Sequence, residues 1–303
     1  MSTHSIFQGT GVAVVTPFAN GQIDYTALGA IIEHLINGKV EMLVCLGSTG
    51  EASNLTSAEK LEVLNFFVEK NQGRIPIIFG PFGDNNTDRL VQNIKSYPLD
   101  GVAAIMASAP AYVKPTQDGL YHHYMRLADN SPVPVLIYNV PSRTACDIKS
   151  DTILKLAHDH SNFLGVKEAS ADMMAMSRIL KYRPPGFRVF SGDDITALSA
   201  MALGADGLIS VLGNAFPYEM SQMIRYALEG NFKEAAAIHL RLLDLHPLIY
   251  CEGNPTGVKT AMSILGLGGN ELRLPLTSLS AGSTEKLKNE IIRAGLLSTV
   301  SAG

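Results

Sequence analysis

The sequence contains little cysteine and no large excess of charge of either sign. Its three cysteines, Cys45, Cys146 and Cys251, are widely separated and form neither a CxxC pair nor a His/Cys cluster. That spacing is typical of free thiols in a reducing compartment rather than of disulfides or metal ligands. The formal net charge of −4 offers no basic surface of the kind that nucleic-acid-binding proteins use. We therefore expect no disulfide framework and no nucleic-acid partner.

Long apolar runs are also missing. No apolar stretch approaches the ~18 residues that a membrane-spanning helix needs. The first seven residues, from Met1 to Phe7, lack the basic region and the apolar core of a signal peptide. We expect a cytoplasmic protein that does not bind a membrane.

The sequence does contain a regular alternation of short apolar segments and longer amphipathic ones. The apolar segments predict strands at Gly11–Thr16, Met42–Leu46, Ile75–Gly80, Gly101–Ala107, Val133–Tyr138, Phe163–Lys167, Phe187–Ser191 and Gly207–Val211. The segments between them predict helices at Tyr25–Asn37, Ser57–Asn71, Thr87–Ser96, Gln117–Asp129, Ser150–His158, Asp172–Lys181 and Asp194–Leu203. Strands that alternate with helices indicate a parallel sheet. Eight such strands in about 210 residues favour a closed (β/α)8 TIM barrel over an open doubly wound sheet.

The pattern changes after Val211, where only helical segments follow. They are Tyr218–Glu229, Phe232–His246, Pro255–Leu265 and Thr284–Ala294. We predict a catalytic barrel at residues 1–230 and a small C-terminal helical domain at 231–303. No linker rich in proline, serine or charge separates the two, so we expect them to be in contact.

One predicted strand ends in a charged residue. Lys167 stands at the carboxyl end of the segment that starts at Phe163, where (β/α)8 barrels carry their active sites. An ammonium in an apolar setting loses hydration, which favours the neutral amine, and a neutral amine can attack a carbonyl to form a Schiff base. A lysine that extends its head group to solvent fits the same pattern. The segment alone leaves both interpretations open.

Hydroxyl, phenol and guanidinium groups follow other predicted strands. The turn Gly47–Glu51 can hold a carboxylate through its hydroxyl and backbone N–H groups, or its Ser and Thr can simply cap a helix. Tyr138 can relay protons or serve as an ordinary core tyrosine. Arg143 can form a two-point contact with a carboxylate or lie in solvent. Their convergence on one barrel mouth makes an active site the better interpretation.

Four separated motifs resemble those of the dihydrodipicolinate synthase / N-acetylneuraminate lyase superfamily. They are Gly47-Ser48-Thr49-Gly50-Glu51, Tyr138-Asn139-Val140-Pro141-Ser142-Arg143-Thr144, Gly165-Val166-Lys167-Glu168-Ala169 and Ser191-Gly192-Asp193-Asp194. They occur in the family's order at the predicted strand ends, and the similarity extends from about Gly9 to Leu297. Arg143 favours the members that condense pyruvate with aspartate semialdehyde in lysine (diaminopimelate) biosynthesis.

The resemblance implies a lyase of the class I aldolase type, in which Lys167 forms an imine with pyruvate. Tyr138 would shuttle protons through Ser48 and through a tyrosine lent by a neighbouring subunit, here Tyr112. The substrate-binding residues that it implies are Thr49, Arg143, Gly192 and Ile209. It implies no metal or organic cofactor, because the lysine itself supplies the electron sink. It also implies a homotetramer built from tight dimers.

Two alternatives stay open. Another pyruvate-dependent lyase of the superfamily, such as a neuraminate lyase or a sugar-acid dehydratase, would keep the lysine and the tyrosine, although those members usually lack the Ser-Arg-Thr that ends the second motif. A barrel that binds a keto acid without catalysis is the other alternative, and the intact lysine, tyrosine and hydroxyl set argues against it.

Many members of the superfamily are inhibited by lysine at a dimer interface. The positions of this chain that the resemblance places there are Ser53, Ser57, Lys60, Asn85, Arg89 and Ala111. A cation at Arg89 would repel the ligand's ammonium where an acidic residue is usual. We therefore expect free lysine to inhibit weakly or not at all.

Overall fold

The computed structural model describes residues 7–297, without the side chain of Pro81. The outer ends of both predicted domains, residues 1–6 and 298–303, lie outside the described residues. So do six of the seven residues that were searched for a signal peptide.

Within residues 7–297, eight parallel strands form a closed barrel. The first strand, β1 (Gly9–Ala13), pairs with both β2 (Met42–Cys45) and β8 (Gly207–Ser210), which closes the ring. The strands between them are β3 (Ile77–Phe82), β4 (Ala104–Ser108), β5 (Val135–Asn139), β6 (Phe163–Glu168) and β7 (Arg188–Ser191). The predicted (β/α)8 fold is confirmed, and each predicted strand overlaps an observed one with ends displaced by at most three residues.

The interior of the barrel is a small apolar cluster, distinct from the larger one between strands and helices. Alternate residues of a strand point to opposite faces, so in β2 Met42 and Val44 belong to the interior cluster while Leu43 and Cys45 belong to the outer one. In β5 the same alternation puts Leu136 and Tyr138 inside. Tyr138 is therefore the last interior residue of its strand.

Helices surround the barrel as the alternation predicts. They are α1 (Tyr25–Asn37), α2 (Ser57–Asn71), α3 (Thr87–Ser96), α4 (Gln117–Asn130), α5 (Ser150–Asp159), α6 (Met173–Tyr182), α7 (Ala197–Ala202) and α8 (Pro217–Leu228). The first three match their predicted bounds. Side-chain caps fix several starts, including a capping box in which Thr56 and Glu59 satisfy each other's backbone N–H groups. A four-residue helix, Pro141–Thr144, and a hairpin of Phe18–Ala19 with Gln22–Ile23 were not predicted.

Two predicted helices were wrong in extent. The segment Asp194–Leu203 is helical only at α7, because the Asp194 carboxylate accepts hydrogen bonds from the backbone beyond β8 instead of capping its own helix. The predicted helix Phe232–His246 is two helices, α9 (Phe232–Leu242) and α10 (Leu245–Tyr250). Pro247 explains the break, since proline lacks an N–H and fits only the first turn of a helix.

The later helices pack on the barrel and on one another. The last two are α11 (Thr256–Ile264) and α12 (Ala281–Arg293), and α12 starts three residues earlier than predicted because Ser280 caps it. α9 packs against α7 and α8, while α10, α11 and α12 pack together. The expected contact with the barrel is present, and the division at residue 230 stays a prediction. No helix in the described part of the chain is both long and apolar enough to cross a membrane.

Gly257 supplies a stability prediction. An added Cβ there would lie 2.1 Å from the backbone oxygen of Ile249, where α11 meets α10. Alanine favours helices, but this overlap with backbone dominates, so we expect Gly257→Ala to destabilise the protein by about 1–3 kcal/mol. Beyond the backbone of its own helix, a Cβ added at Gly282 in α12 would have none of the described residues within 4 Å, and Gly282→Ala should be neutral or stabilise by up to about 1 kcal/mol. Guanidinium unfolding of both variants checks the contrast, and equal midpoints would contradict it.

Candidate active site

The carboxyl ends of β5 and β6 place a tyrosine and a lysine side by side in the barrel. Tyr138 and Lys167 are register partners and are buried, with exposed fractions of 5% and 4%. The Nζ of Lys167 lies 4.5 Å from the centroid of the Tyr138 ring. Within residues 7–297 no ion pair or hydrogen bond engages this Nζ. The amine therefore has no competing partner there when a carbonyl compound approaches it.

Gly192 lies against Lys167, and Ile209 belongs to the interior of the same barrel. The backbone N–H of Gly192, just after β7, donates to the Glu168 oxygen at 2.7 Å. A Cβ at Gly192 would lie 3.0 Å from Cγ of Lys167 and 2.6 Å from Cβ of Ala169. Only glycine leaves the lysine side chain its present space. Ile209 is fully buried in the interior cluster that contains Tyr138.

A cavity of about 460 Å³ opens at the barrel mouth. Three predicted site residues, Ser48, Tyr138 and Arg143, line it, whereas the other five do not. Arg143 is exposed on the four-residue helix after β5 and forms no ion pair in the described part of the chain. Its guanidinium is therefore available to a carboxylate that enters the cavity.

The turn after β2 is a 3-10 turn, Ser48–Gly50. A Cβ at Gly50 would lie 2.9 Å from the Val14 oxygen, so the turn sits tightly against the end of β1. Thr49 is buried, and its Oγ1 accepts a hydrogen bond of 3.0 Å from the side-chain amide of Asn254. Ser48 and Tyr138 share the cavity without a hydrogen bond between them in the described residues, so the expected direct link of the proton relay is not formed in this structure.

Tyr112 does not line this cavity. Its side chain is 90% exposed, its φ is 73°, and its backbone N–H donates to the Thr144 oxygen at 3.1 Å. In the described part of the chain no hydrogen bond or ring contact joins the Tyr112 side chain to Lys167.

A second buried lysine was missed by the sequence analysis. Nζ of Lys259, in α11, lies 2.5 Å from Oε1 of Glu51, and both side chains are almost inaccessible to solvent. The same Nζ donates to the Glu271 oxygen at 2.9 Å and stands 4.3 Å from the Phe18 ring centroid. Burial lowers the pKa of Lys259, and the neighbouring carboxylate opposes that shift. Lys259 is thus held by a salt bridge, unlike Lys167.

Glu51 also organises the turn in which it lies. Glu51 adopts a left-handed conformation with φ of 54°, and its Oε2 accepts from Asn54 Nδ2 and from the Arg273 backbone N–H. The guanidinium of Arg273 in turn bonds the Asn54 oxygen and the Glu59 carboxylate. The sequence offered one signal for this ion pair, which is the presence of Glu51 in the first of the four motifs. Its lysine partner lies in a separate segment near the end of the chain.

Asp194 is a buried acceptor on the opposite side of the mouth. Its Oδ1 accepts from Ser210 Oγ at 2.5 Å, and its Oδ2 accepts from the N–H groups of Val211 and Leu212 at 3.0 Å. The phenol of Tyr250, in α10, lies 3.4 Å from the same Oδ2. This carboxylate therefore joins the loop after β7, which contains Gly192, to the end of β8, which contains Ile209.

The positions expected at a lysine-binding interface are only partly together. Ser57 and Lys60 line a second cavity of about 380 Å³, but Asn85 and Arg89 do not. Arg89 forms two hydrogen bonds of 2.6 Å with the Asp84 carboxylate. That pairing offsets the positive charge on which the expected repulsion depends, and weak lysine inhibition stays a prediction.

Comparison with known proteins places this geometry in a family. The model of the dihydrodipicolinate synthetase family matches residues 6–294. The chain belongs to the dihydrodipicolinate synthetase family. The resemblance seen in the four motifs is thereby confirmed.

Relatives within the dihydrodipicolinate synthetase family cover nearly the whole chain. A 4-hydroxy-tetrahydrodipicolinate synthase of Aquifex aeolicus is 42% identical over 294 residues, which is 96% of this chain and 99% of the relative. A crystal structure of dihydrodipicolinate synthase from Aquifex aeolicus superposes with a TM-score of 0.92 at 41% identity, covering 96% of this chain and 99% of that one.

Two further family structures bear on the ligand and on assembly. A chloride-inhibited dihydrodipicolinate synthase from Acinetobacter baumannii, solved in complex with pyruvate, is 36% identical with a TM-score of 0.92 and covers 96% and 99% of the two chains. A dihydrodipicolinate synthase described as the first monomeric variant is 33% identical with a TM-score of 0.94 and covers 97% and 99%.

The buried pair at the turn yields a prediction. Lys259→Met leaves the Glu51 carboxylate buried without its cation, and we expect a loss of about 3–5 kcal/mol in the free energy of unfolding. Adding Glu51→Gln to Lys259→Met should recover much of that loss, because no uncompensated charge remains. Lys70→Met removes only an exposed pair with Glu33 and should cost at most about 1 kcal/mol. Urea unfolding compares the three variants. If Lys259→Met lost as little free energy of unfolding as Lys70→Met, the buried pair would not have the predicted cost.

Proposed function

We propose that the chain catalyses the condensation of pyruvate with L-aspartate 4-semialdehyde to 4-hydroxy-tetrahydrodipicolinate, the product that its relatives' names state. The observation that carries the proposal is the position of Lys167, which is buried next to Tyr138 at the carboxyl end of a barrel strand and forms no ion pair with residues 7–297. Family membership and the pyruvate complex of a relative support the substrate class.

The chemistry runs through Lys167. Its Nζ attacks the keto carbon of pyruvate, and loss of water gives an imine. The imine withdraws electrons, so the methyl carbon loses a proton and becomes an enamine carbon that attacks the aldehyde of the second substrate. The second substrate's amine then attacks the imine carbon, which closes the ring and releases the lysine. No metal or organic cofactor is needed for these steps.

Tyr138 moves protons during imine formation and ring closure. Support comes from its position, since the ring lies against Lys167 and the side chain also lines the cavity. Ser48 lines the same cavity and continues the relay through the substrate or an ordered water rather than through a direct bond to Tyr138.

The remaining site residues bind substrate. The turn of Ser48 and Thr49 holds the pyruvate carboxylate with hydroxyl and N–H donors. Gly192 and the carbonyl of Ile209 form the wall beside Lys167. Arg143 binds the carboxylate of the semialdehyde at the cavity mouth through a two-point contact.

The working form is a tetramer of tight dimers in the cytoplasm. Tyr112 supports assembly, because a tyrosine that is almost wholly exposed in one chain is suited to complete a neighbour's site. The three free cysteines agree with a reducing compartment. The monomeric variant among the structural neighbours means that assembly has to be measured for this chain.

Replacement of Lys167 tests the chemistry. Lys167→Ala and Lys167→Arg should both abolish imine formation, because alanine has no amine and arginine stays protonated. Borohydride reduction with pyruvate, followed by peptide mass spectrometry, should place a reduced three-carbon adduct on Lys167 of the wild type only. The exposed-pair variant Lys70→Met serves as the control that keeps the adduct. An adduct that persists in Lys167→Ala would refute the assignment.

A coupled assay separates the open alternatives. With pyruvate, aspartate semialdehyde and a dihydrodipicolinate reductase, the proposed enzyme turns over. Another lyase of the superfamily traps pyruvate but does not turn over this aldehyde, and a non-catalytic barrel does neither.

Tyr112 links activity to assembly. If its phenol completes the relay of a neighbouring subunit, Tyr112→Phe should lower kcat by more than tenfold, a typical effect for lost proton transfer, and should change KM less. Tyr218→Phe, at another exposed tyrosine, is the matched control and should leave both constants unchanged. Sedimentation with activity measured on each species completes the test, and a fully active monomer would contradict the shared site.

A further inference from the structure

Asn254 connects the end of the chain to the turn that we assign to the pyruvate carboxylate. It lies in the loop between α10 and α11, half-buried, and its side-chain Nδ2 donates to Oγ1 of Thr49 at 3.0 Å across 205 residues of sequence. It also lines the 460 Å³ cavity together with Ser48, Tyr138 and Arg143.

The direction of this hydrogen bond determines what the Thr49 hydroxyl can do. A hydroxyl has one proton to donate and two lone pairs that accept. Because the Asn254 amide N–H occupies a lone pair, the proton of Thr49 is not used by Asn254. Thr49 Oγ1 donates to no acceptor within residues 7–297. Its proton is therefore available to an acceptor that enters from outside the chain, such as a carboxylate.

Among residues 7–297 the side-chain amide of Asn254 makes only this one hydrogen bond. Its Oδ1 is buried and has no hydrogen-bond partner in the described part of the chain. A buried amide that leaves its oxygen unpaired is not explained by hydrogen-bond satisfaction of the loop. The hydrogen bond that the Asn254 side chain does form is the one that it donates to Oγ1 of Thr49.

A tether between the turn and the later helices does not account for Asn254 either. Lys259 already holds Glu51, two residues after Thr49, and Arg273 holds Asn54 and Glu59. The turn is thus attached to the chain's end by stronger, charged contacts. What Asn254 adds is the orientation of one hydroxyl.

We propose that Asn254 is a positioning residue that keeps Thr49 as a hydrogen-bond donor to the carboxylate of the first substrate. This inference rests on the proposed function, since it takes the turn of Ser48 and Thr49 as the pyruvate carboxylate site. It assigns to Asn254, which lies outside the four motifs, a part in substrate affinity rather than in the chemical step.

Asn254→Asp is the sharpest test, because it keeps the size of the side chain and reverses the hydrogen bond. A carboxylate only accepts, so Thr49 must donate to it and can no longer donate to substrate. The pyruvate concentration that gives half-maximal borohydride trapping on Lys167 should rise by about tenfold or more, as for loss of a hydrogen bond to a charged group. The trapping rate at saturating pyruvate should stay within about threefold of wild type, as expected when only uniform binding is lost. Asn93→Asp, the same change on α3 outside the candidate site, should leave both values unchanged.

A double-variant cycle separates positioning from general damage. Thr49→Val removes the hydroxyl at nearly constant volume and should raise the half-maximal concentration to a similar degree. If Asn254 acts through Thr49, Asn254→Ala should add less than about twofold in the Thr49→Val background, although it is costly in the wild-type background. A purely structural role of Asn254 would lower the unfolding midpoint, and any increase that Asn254→Ala causes in the half-maximal concentration would then be as large in the Thr49→Val background as in the wild type.

The outcomes are distinct. Wild-type affinity in Asn254→Asp, or additive losses in the cycle, overturns the inference while the proposed function stands. If Asn254→Asp does not fold, the cycle with Asn254→Ala decides alone. A wild-type protein that shows no adduct on Lys167 overturns the proposed function itself and the inference with it.

Discussion

The mouth of this barrel depends on one charge pair that is withdrawn from water. Glu51 sits at the end of the turn after β2 in a left-handed conformation, and Lys259 reaches it from α11. Removing either charge leaves the other buried and uncompensated, which is far more costly than losing a surface pair. The pair therefore constrains the turn of Ser48 and Thr49 and the loop of Asn254 together. Lys167 forms no ion pair with the residues that the structure describes, whereas Lys259 is held by Glu51, so the two buried lysines of this protein are in different electrostatic settings.

The geometry of the parallel barrel accounts for the rest of the site. Interior residues alternate with exterior ones, and register partners on neighbouring strands face the same way. Tyr138 and Lys167 are such partners, so their closeness follows from strand pairing and not from a special loop. Gly192 leaves room for the lysine side chain, and Asp194 holds the loop of Gly192 to the end of β8. Few loop conformations need to be specified once the strands are in register.

Much of the fold and part of the candidate site could be predicted from the sequence, because the informative signals are local. A lysine after an apolar run, a glycine-flanked turn and helix caps such as Thr56 can be recognised within a few residues. Lys259 and Asn254 were missed because their partners lie about 200 residues earlier in the chain and nothing local marks a buried lysine as an ion pair. The helix predicted from Asp194 began too early for a different reason. Aspartate is suited both to cap a helix and to bind distant backbone N–H groups, and only the tertiary structure decides between them. The split between α9 and α10 could have been foreseen from Pro247.

The long sequence separation of these contacts affects how the protein is made. Asn254 and Lys259 meet their partners across 205 and 208 residues. During synthesis the N-terminal part emerges first, so all eight strands leave the ribosome before the segment that holds the turn after β2. A nascent barrel can close its sheet while the Glu51 carboxylate still lacks its cation. The turn after β2 therefore lacks these two contacts until almost the entire chain has been translated, and a product truncated after β8 would contain the eight strands and Lys167 without Asn254 and Lys259.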